Sequence, residues 1–332
     1  MKVLVIGGTL FIGRALVREL LKAGHDVTIL HRRPKHVLPR RVCNLVADRN
    51  DPAAVHEAIR PGRYQVVFDN VYDWERGTTA AQVEAAALAC GDQLTRYVFM
   101  SSVAAYGDGL NHHEGDALGP DDAPVPYVRD KAMTERMLFR LCQRTGFPVV
   151  TLRPPFVYGP GNPFYREAFF WDRLRDNRPI ILPGDGHRLM QFVYVRDLVA
   201  ACLAAMTVPD AEGEAFNIAN EKPITQLEFV HALAAAASKK PNIARVPRER
   251  INEAGGNPMD EPFYFGEYLD LPPITEVVAK ARRILGFQPT PFDQGLKATY
   301  RWYLKNWKKP RIGYGFEDRL IAGAAAYAPA AD

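Results

Sequence analysis

The chain begins with a short apolar run, Lys2–Ile6, broken at once by Gly7-Gly8-Thr9-Leu10-Phe11-Ile12-Gly13. Leu16, Leu20 and Leu21 then recur at helical spacing, Gly24 closes the stretch, and Asp26–Leu30 is apolar again. A strand, a glycine turn, a helix and a second strand in such quick succession predict a βαβ unit. Its strands must run parallel, because the helix carries the chain back to the starting edge. The alternation continues, with strands predicted at 42–46, 65–69, 96–101 and 149–153 and helices at 52–59, 78–90 and 127–144.

Strands alternating with helices in this way predict an α/β chain. The expected fold is Rossmann-like: a doubly wound, mostly parallel sheet of about six or seven strands with helices on both faces. After Arg153 the alternation dissolves, and Pro and Gly cluster at Pro154-Pro155, Pro160-Gly161 and Pro183-Gly184. Residues 1–155 are therefore read as a nucleotide-binding domain to which 192–206 returns. Residues 156–312 are read mainly as a substrate-binding lobe, and 313–332 as a C-terminal tail whose Ala-rich end, Ala322–Ala331, is frayed. The length, 332 residues, accommodates that division at ~100–200 residues per domain.

Composition excludes several classes of protein. With 47% hydrophobic residues and a net charge of +4 the chain is too apolar and too nearly neutral for disorder. No apolar run approaches the ~20 residues of a membrane span. The run before Gly7 is also too short for a secretory signal. Cys43, Cys90, Cys142 and Cys202 include no CxxC pair, which argues against a disulfide framework or a zinc site and for a cytoplasmic setting. Charge is uneven: residues 1–50 hold ten basic and three acidic residues, and residues 300–312 hold five basic and none acidic. The second patch reads as a solvated face.

The glycine turn carries the first chemical reading. A dinucleotide's pyrophosphate sits against bare backbone N–H groups at a helix N-terminus. Gly7, Gly8 and Gly13 supply that bare backbone, with Thr9, Phe11 and Ile12 between them, although Leu10 stands where a further glycine often occurs. The end of the second strand then meets the adenosine ribose. An acid there holds the 2′-hydroxyl of NAD, whereas arginine takes the 2′-phosphate of NADP. His31-Arg32-Arg33 offers no carboxylate, so the NAD(P) cofactor is expected to be NADP(H) rather than NAD(H).

The second reading is Tyr127-Val-Arg-Asp-Lys131, preceded by Ser102 at the end of the fifth strand. Residues i and i+4 share a helix face, which places Lys131 beside Tyr127. A phenol with its free pKa of ~10 is a weak base, and a neighbouring ammonium lowers that value. Tyr127 can then pass a proton while Ser102 hydrogen-bonds the same oxygen.

Several further segments join these: Ser101-Ser102-Val-Ala-Ala-Tyr-Gly, Leu152-Arg-Pro-Pro-Phe-Val-Tyr-Gly-Pro160, Gly184-Asp-Gly186, Phe192-Val-Tyr-Val-Arg-Asp197, Phe216-Asn-Ile218 and Leu285-Gly-Phe-Gln-Pro289. With them the chain resembles an extended short-chain dehydrogenase/reductase (SDR) of the NAD-dependent epimerase/dehydratase type, from Met1 to about Asn306. The resemblance implies a Ser102/Tyr127/Lys131 triad, with Lys131 also at the nicotinamide ribose. It implies Asp48 and Arg49 at the adenine, Pro154, Pro155 and Phe156 beside the nicotinamide, and a homodimer formed through the helices at 78–90 and 127–144. The reaction it implies is hydride transfer, by an epimerase or a dehydrogenase/reductase, at a secondary alcohol or ketone of a sugar-like small molecule, possibly a nucleotide sugar.

Departures from the family pattern refine this. Ala104 stands where sugar 4,6-dehydratases carry Glu and the GDP-fucose-forming epimerase/reductases carry Cys, so dehydration is not expected. Phe156 and Met190-Gln191 replace residues that contact the diphosphate in nucleotide-sugar members, with Arg188 close upstream. Ser101, His112, His113 and Arg188 are the remaining candidates for substrate contact, and no ligand pattern makes the histidines a metal site. Gly-Gly-Thr-x-Phe-Ile-Gly, Gln191 and the layout of the C-terminal half are also similar to the chloroplast stem-loop-binding RNA proteins, which are SDR-derived. In that alternative Tyr300–Arg311 would hold RNA, against the preferred reading of a helix that packs its aromatic residues inward. A non-catalytic NADP(H) sensor is a third reading. The register of Ser102, Tyr127 and Lys131 favours redox chemistry.

Overall fold

The computed structural model describes residues 1–324. The first strand, β1 (Lys2–Ile6), has Val3, Leu4, Val5 and Ile6 fully buried. That is what a strand covered on both faces requires, and it is why the opening run is continuously apolar. The helix α1 (Phe11–Lys22) buries Leu16, Val17, Leu20 and Leu21, and β2 (Asp26–His31) and β3 (Cys43–Val46) follow. Next come α2 (Pro52–Ile59), β4 (Val66–Asp69), α3 (Ala80–Leu88) and β5 (Arg96–Met100). The start of α2 is fixed by Asp51, whose side chain accepts from the Ala54 N–H at 3.0 Å, and that of α3 by a Thr79–Gln82 capping box. The long helix α4 (Pro126–Thr145) opens with proline in its first turn and closes on Gly146 in the left-handed conformation.

The seven-stranded sheet runs in the order Glu214–Asn217, Val149–Arg153, β5, β4, β1, β2, β3, and its strand pairs are parallel. From β1 the chain winds outward through β2 and β3, then returns to the other side of β1 with β4. The gap between β1 and β4 is therefore the topological switch point, where α/β sheets bind ligands beyond their carboxyl ends.

By contacts the chain divides into two compact units. The first comprises Met1–Val157, Phe192–Glu221 and Ile274–Pro289. It contains the whole sheet, and the helix Val195–Thr207 packs on α1. Residues 274–289 fall within the 156–312 span that the sequence gives mainly to the substrate-binding lobe. Their strand Ile274–Glu276 pairs instead with Gly109–His112, and their helix Ala279–Leu285 packs on Val195–Thr207. Elements of three and seven residues are too short to show a period in sequence.

The second unit comprises Tyr158–Gln191, Lys222–Pro273 and the chain from Thr290 onward. Its ladder pairs Ile180–Pro183 with Ile243–Val246, and its core includes Phe169, Phe170, Trp171 and Phe229. The expected tail is partly structured: Gly315–Ala324 is helical, Phe316 and Leu320 are buried, and Glu317 pairs with Arg173 at 2.6 Å. The fraying that the sequence predicts for Ala322–Ala331 falls, from residue 325, outside the described residues. In the basic aromatic stretch Tyr303 is buried, and Tyr300 and Trp307 are half-buried. The Tyr303 hydroxyl donates to Asp172 at 2.6 Å, the Trp307 indole donates to the same carboxylate at 3.3 Å, and Tyr300 packs on Trp171. All four cysteines are free. Among the described residues no helix is long and apolar enough to cross a membrane.

Candidate active site

Ser102, Tyr127 and Lys131 reach the carboxyl end of the sheet from two elements. Ser102 follows β5 and caps the short 3-10 turn Val103–Tyr106, accepting from the Ala104 N–H at 3.2 Å and donating to the Pro154 carbonyl at 3.5 Å. Tyr127 lies in the first turn of α4, and Lys131 one turn on. The Lys131 side chain is almost wholly buried, and its Nζ donates to the Met100 carbonyl at 2.7 Å. Nζ lies 4.7 Å from the Phe99 ring centre, 5.6 Å from that of Tyr72 and 5.7 Å from that of Tyr127. Burial pulls its pKa down to about 8, against the attraction of Asp69 and Glu135.

Two aromatic residues from the loop after β4, absent from the sequence reading, frame the phenol. Trp74 stacks on Tyr127 at 4.7 Å with its plane tilted 25°, and Tyr72 meets it edge-on at 4.7 Å. The Tyr72 hydroxyl donates to Asp130 at 3.0 Å; burial first, and then that carboxylate, push its pKa up. Tyr72 therefore stays a neutral donor.

Ser101 does not face outward as a substrate contact. Its hydroxyl donates to Glu135, which is fully buried and also accepts from Thr151 at 2.9 Å and from Arg153 at 2.7 Å. Arg153 donates in turn to the Tyr106 hydroxyl at 2.6 Å, and Tyr106 donates to Asn217 at 2.7 Å. The ring of His112 stacks on Tyr106 at 4.4 Å, and its nitrogens lie 3.2 Å from Asp116 and 3.3 Å from the Asp108 carbonyl. His113 is exposed. Arg188 belongs to the second unit, where it pairs with Asp270 at 3.0 Å; Arg248, Gln226 and Tyr264 bond the same carboxylate.

The glycine turn has the shape a dinucleotide needs. Gly7 has a φ of 87°, and a Cβ on Gly13 would stand 2.0 Å from the Gly7 carbonyl oxygen, so turn and helix touch through bare backbone. Leu10 provides no side-chain cap for α1, which leaves the first N–H groups of the helix to an outside acceptor. Thr9 and Ile12 are partly buried, whereas Phe11 is buried with a φ of 35°, a backbone that bulky residues rarely adopt. The His31 Nε2 and both amide atoms of Asn70, at the ends of β2 and β4, are buried with no hydrogen-bond partner among the described residues. These features fit a bound NAD(P). Asn70 was missed in sequence because only the strand order reveals that it borders the switch point.

Arg32 and Arg33 are exposed, with Arg32 3.5 Å from Asp73. Asp48 pairs with Arg76 at 2.9 Å, and the Asn50 N–H foremost, with Arg76, lowers its pKa. Arg49, expected at the adenine, turns the other way: it is buried and pairs with Asp69 at 2.6 Å, because a fully buried carboxylate on β4 requires a cation. Pro154 is buried beneath Ser102, Pro155 is half-buried, and Phe156 packs on Phe192 at 5.7 Å.

Residues 3–219 match the model of the NAD dependent epimerase/dehydratase family. The chain is 30% identical over 320 residues to an Arabidopsis thaliana chloroplast stem-loop binding protein of 41 kDa, covering 90% of this chain and 78% of that one. It is 29% identical over 226 residues to mouse dTDP-D-glucose 4,6-dehydratase, covering 64% and 58% of the two. The fold matches the crystal structure of a Bacillus anthracis dTDP-glucose 4,6-dehydratase in complex with NAD, with a TM-score of 0.76 over 93% of this chain and 99% of that one at 19% identity. With its parallel sheet, its glycine turn and a match over most of its length, this chain belongs to the NAD-dependent epimerase/dehydratase family.

Proposed function

We propose that the protein is an NAD(P)-dependent epimerase or dehydrogenase/reductase acting on a secondary alcohol or ketone of a sugar-like substrate, with NADP(H) the preferred cofactor. The observation that carries this reading is the buried Lys131 ammonium beside Tyr127, tethered to the strand that leads directly into Ser102. When bound, the dinucleotide supplies the hydride acceptor or donor. Tyr127 as phenolate takes the substrate hydroxyl proton, and as phenol returns it in the reverse direction. The Lys131 charge favours the phenolate, and Ser102 orients the reacting oxygen by a hydrogen bond. Gly7, Gly8 and Gly13 with the start of α1 hold the pyrophosphate, and Arg32 and Arg33 take the 2′-phosphate. Ala104 leaves no acid or base for removing water from a sugar, which supports hydride transfer without dehydration.

RNA binding is a second reading, supported by the likeness to the Arabidopsis stem-loop binding protein. Against it, Tyr303 is buried, and its hydroxyl and the Trp307 indole are taken up by Asp172. The test is Tyr127→Phe assayed against alcohols and ketones of sugars and sugar nucleotides. Turnover should fall roughly 10²–10⁴-fold with dinucleotide binding unchanged. Full turnover in the variant would refute the redox reading and promote the RNA-binding one.

A further inference from the structure

The ammonium of Lys131 has to keep its charge inside the protein, and the triad alone does not explain how. Nζ sits 4.7 Å from the centre of the Phe99 ring. Phe99 is the in-register partner of Asp69 on the neighbouring parallel strand, β4, and residues in register project to the same face of a sheet. Asp69 therefore stands beside the ring against which the ammonium rests. Its carboxylate is fully buried. One oxygen, Oδ2, accepts from Arg49 at 2.6 Å and from the Tyr97 hydroxyl at 2.7 Å. The other, Oδ1, is buried with no hydrogen-bond partner among the described residues. Arg49 is itself pinned by a 2.6 Å bond to the Gln82 carbonyl, so the carboxylate is held from behind.

We propose that Asp69 is a positioning residue for Lys131: the carboxylate, anchored from behind by Arg49, holds the lysine ammonium in place, and charged, beside Tyr127. The proposal rests on the redox reading of Tyr127 and Lys131 and adds to it a residue outside the triad. Other charged groups around Lys131 are Glu135 and Asp130 on its own helix and Arg49 behind Asp69, and Asp69 is foremost among those that oppose burial. Tyr72 and Tyr127 present their rings to the ammonium. Cys90 and Tyr97 flank Asp69 and remain neutral, burial pushing the thiol up to about 12 and the phenol up as well. An isolated ammonium at this depth would lose its proton far more readily.

The test follows Lys131 itself, in the full chain labelled with 13C and 15N at lysine, its signal assigned through Lys131→Met. The wild-type midpoint should lie near its depressed value of about 8. In Asp69→Asn it should fall by roughly 1–3 pH units, and Asp69→Glu should largely restore it. Arg49→Gln supplies a variant of opposite sign, because freeing Asp69 from its competing cation should raise the midpoint. If Asp69→Asn does not fold, that upward shift remains the test. A midpoint that moves in none of the folded variants would make Asp69–Arg49 a purely structural pair and overturn the proposal. The readout needs no turnover, so this failure is distinct from that of the redox reading, which Tyr127→Phe decides.

Discussion

The Nζ of Lys131 donates a 2.7 Å hydrogen bond to the main-chain carbonyl of Met100, the last residue of β5. The bond joins the helix that carries Tyr127 to the strand that leads into Ser102. Because its acceptor is main chain, it does not depend on the side chain at position 100. The lysine thus serves both as a charge and as a spacer between two elements.

Replacing Lys131 by Met should separate these roles from folding. An unbranched thioether fills much the same slot against Phe99 and Tyr72, so the variant should fold. It should nonetheless lose roughly 10²-fold or more in turnover. Dinucleotide affinity should drop by about tenfold, from the loss of a charged hydrogen bond. Fluorescence titration with NADPH alongside a thermal melt checks both; unchanged affinity would remove Lys131 from the cofactor site.

Cofactor choice is predicted to lie in two exposed side chains. Arg32→Ala/Arg33→Ala should weaken NADPH binding by about 10–100-fold, the scale of one or two charged hydrogen bonds. NADH binding should change little. Equal loss for both dinucleotides, or tighter binding of NADH by the wild type, would reverse the preference.

The carboxylate of Glu135 ties Ser101, Thr151 and Arg153 together in a fully buried site. Glu135→Ala leaves the Arg153 guanidinium buried without its counter-charge and should cost about 3–5 kcal/mol in urea unfolding. The double variant Glu135→Met/Arg153→Met removes both charges and should be less destabilised than the single one. A single variant as stable as the wild type would contradict the importance of this pair.

In the second unit, Glu167 is buried, and burial raises its pKa from 4.5 to about 7 even though Asn162 donates to it at 3.0 Å. A carboxyl raised on folding contributes its full stability below the unfolded value, 4.5, and loses it as pH climbs to about 7. Glu167→Gln should therefore be neutral in acid and stabilising by roughly 2–3 kcal/mol at mildly alkaline pH. Denaturant midpoints at the two pH extremes measure it, and an equal effect at both would show that the carboxyl is not the cause.

What the sequence by itself determined is what local spacing encodes. The run Lys2–Ile6 into a glycine turn, the repeated strand–helix alternation and the i, i+4 pair Tyr127 and Lys131 depend on neighbours a few residues apart. They specify the parallel sheet and bring Tyr127 and Lys131 to one helix face. The tertiary structure alone decided which way side chains with distant partners turn. Arg49 points inward because Asp69, 20 residues on, is buried at the end of β4. Ser101 bonds Glu135, 34 residues away, rather than facing the substrate. Asn70 borders the switch point only because β4 returns beside β1, and Ile274–Glu276 joins the first unit through a strand more than a hundred residues upstream. Buried charges and polar atoms must find partners wherever the fold brings them, and strand pairing across such separations leaves no period in the sequence to read.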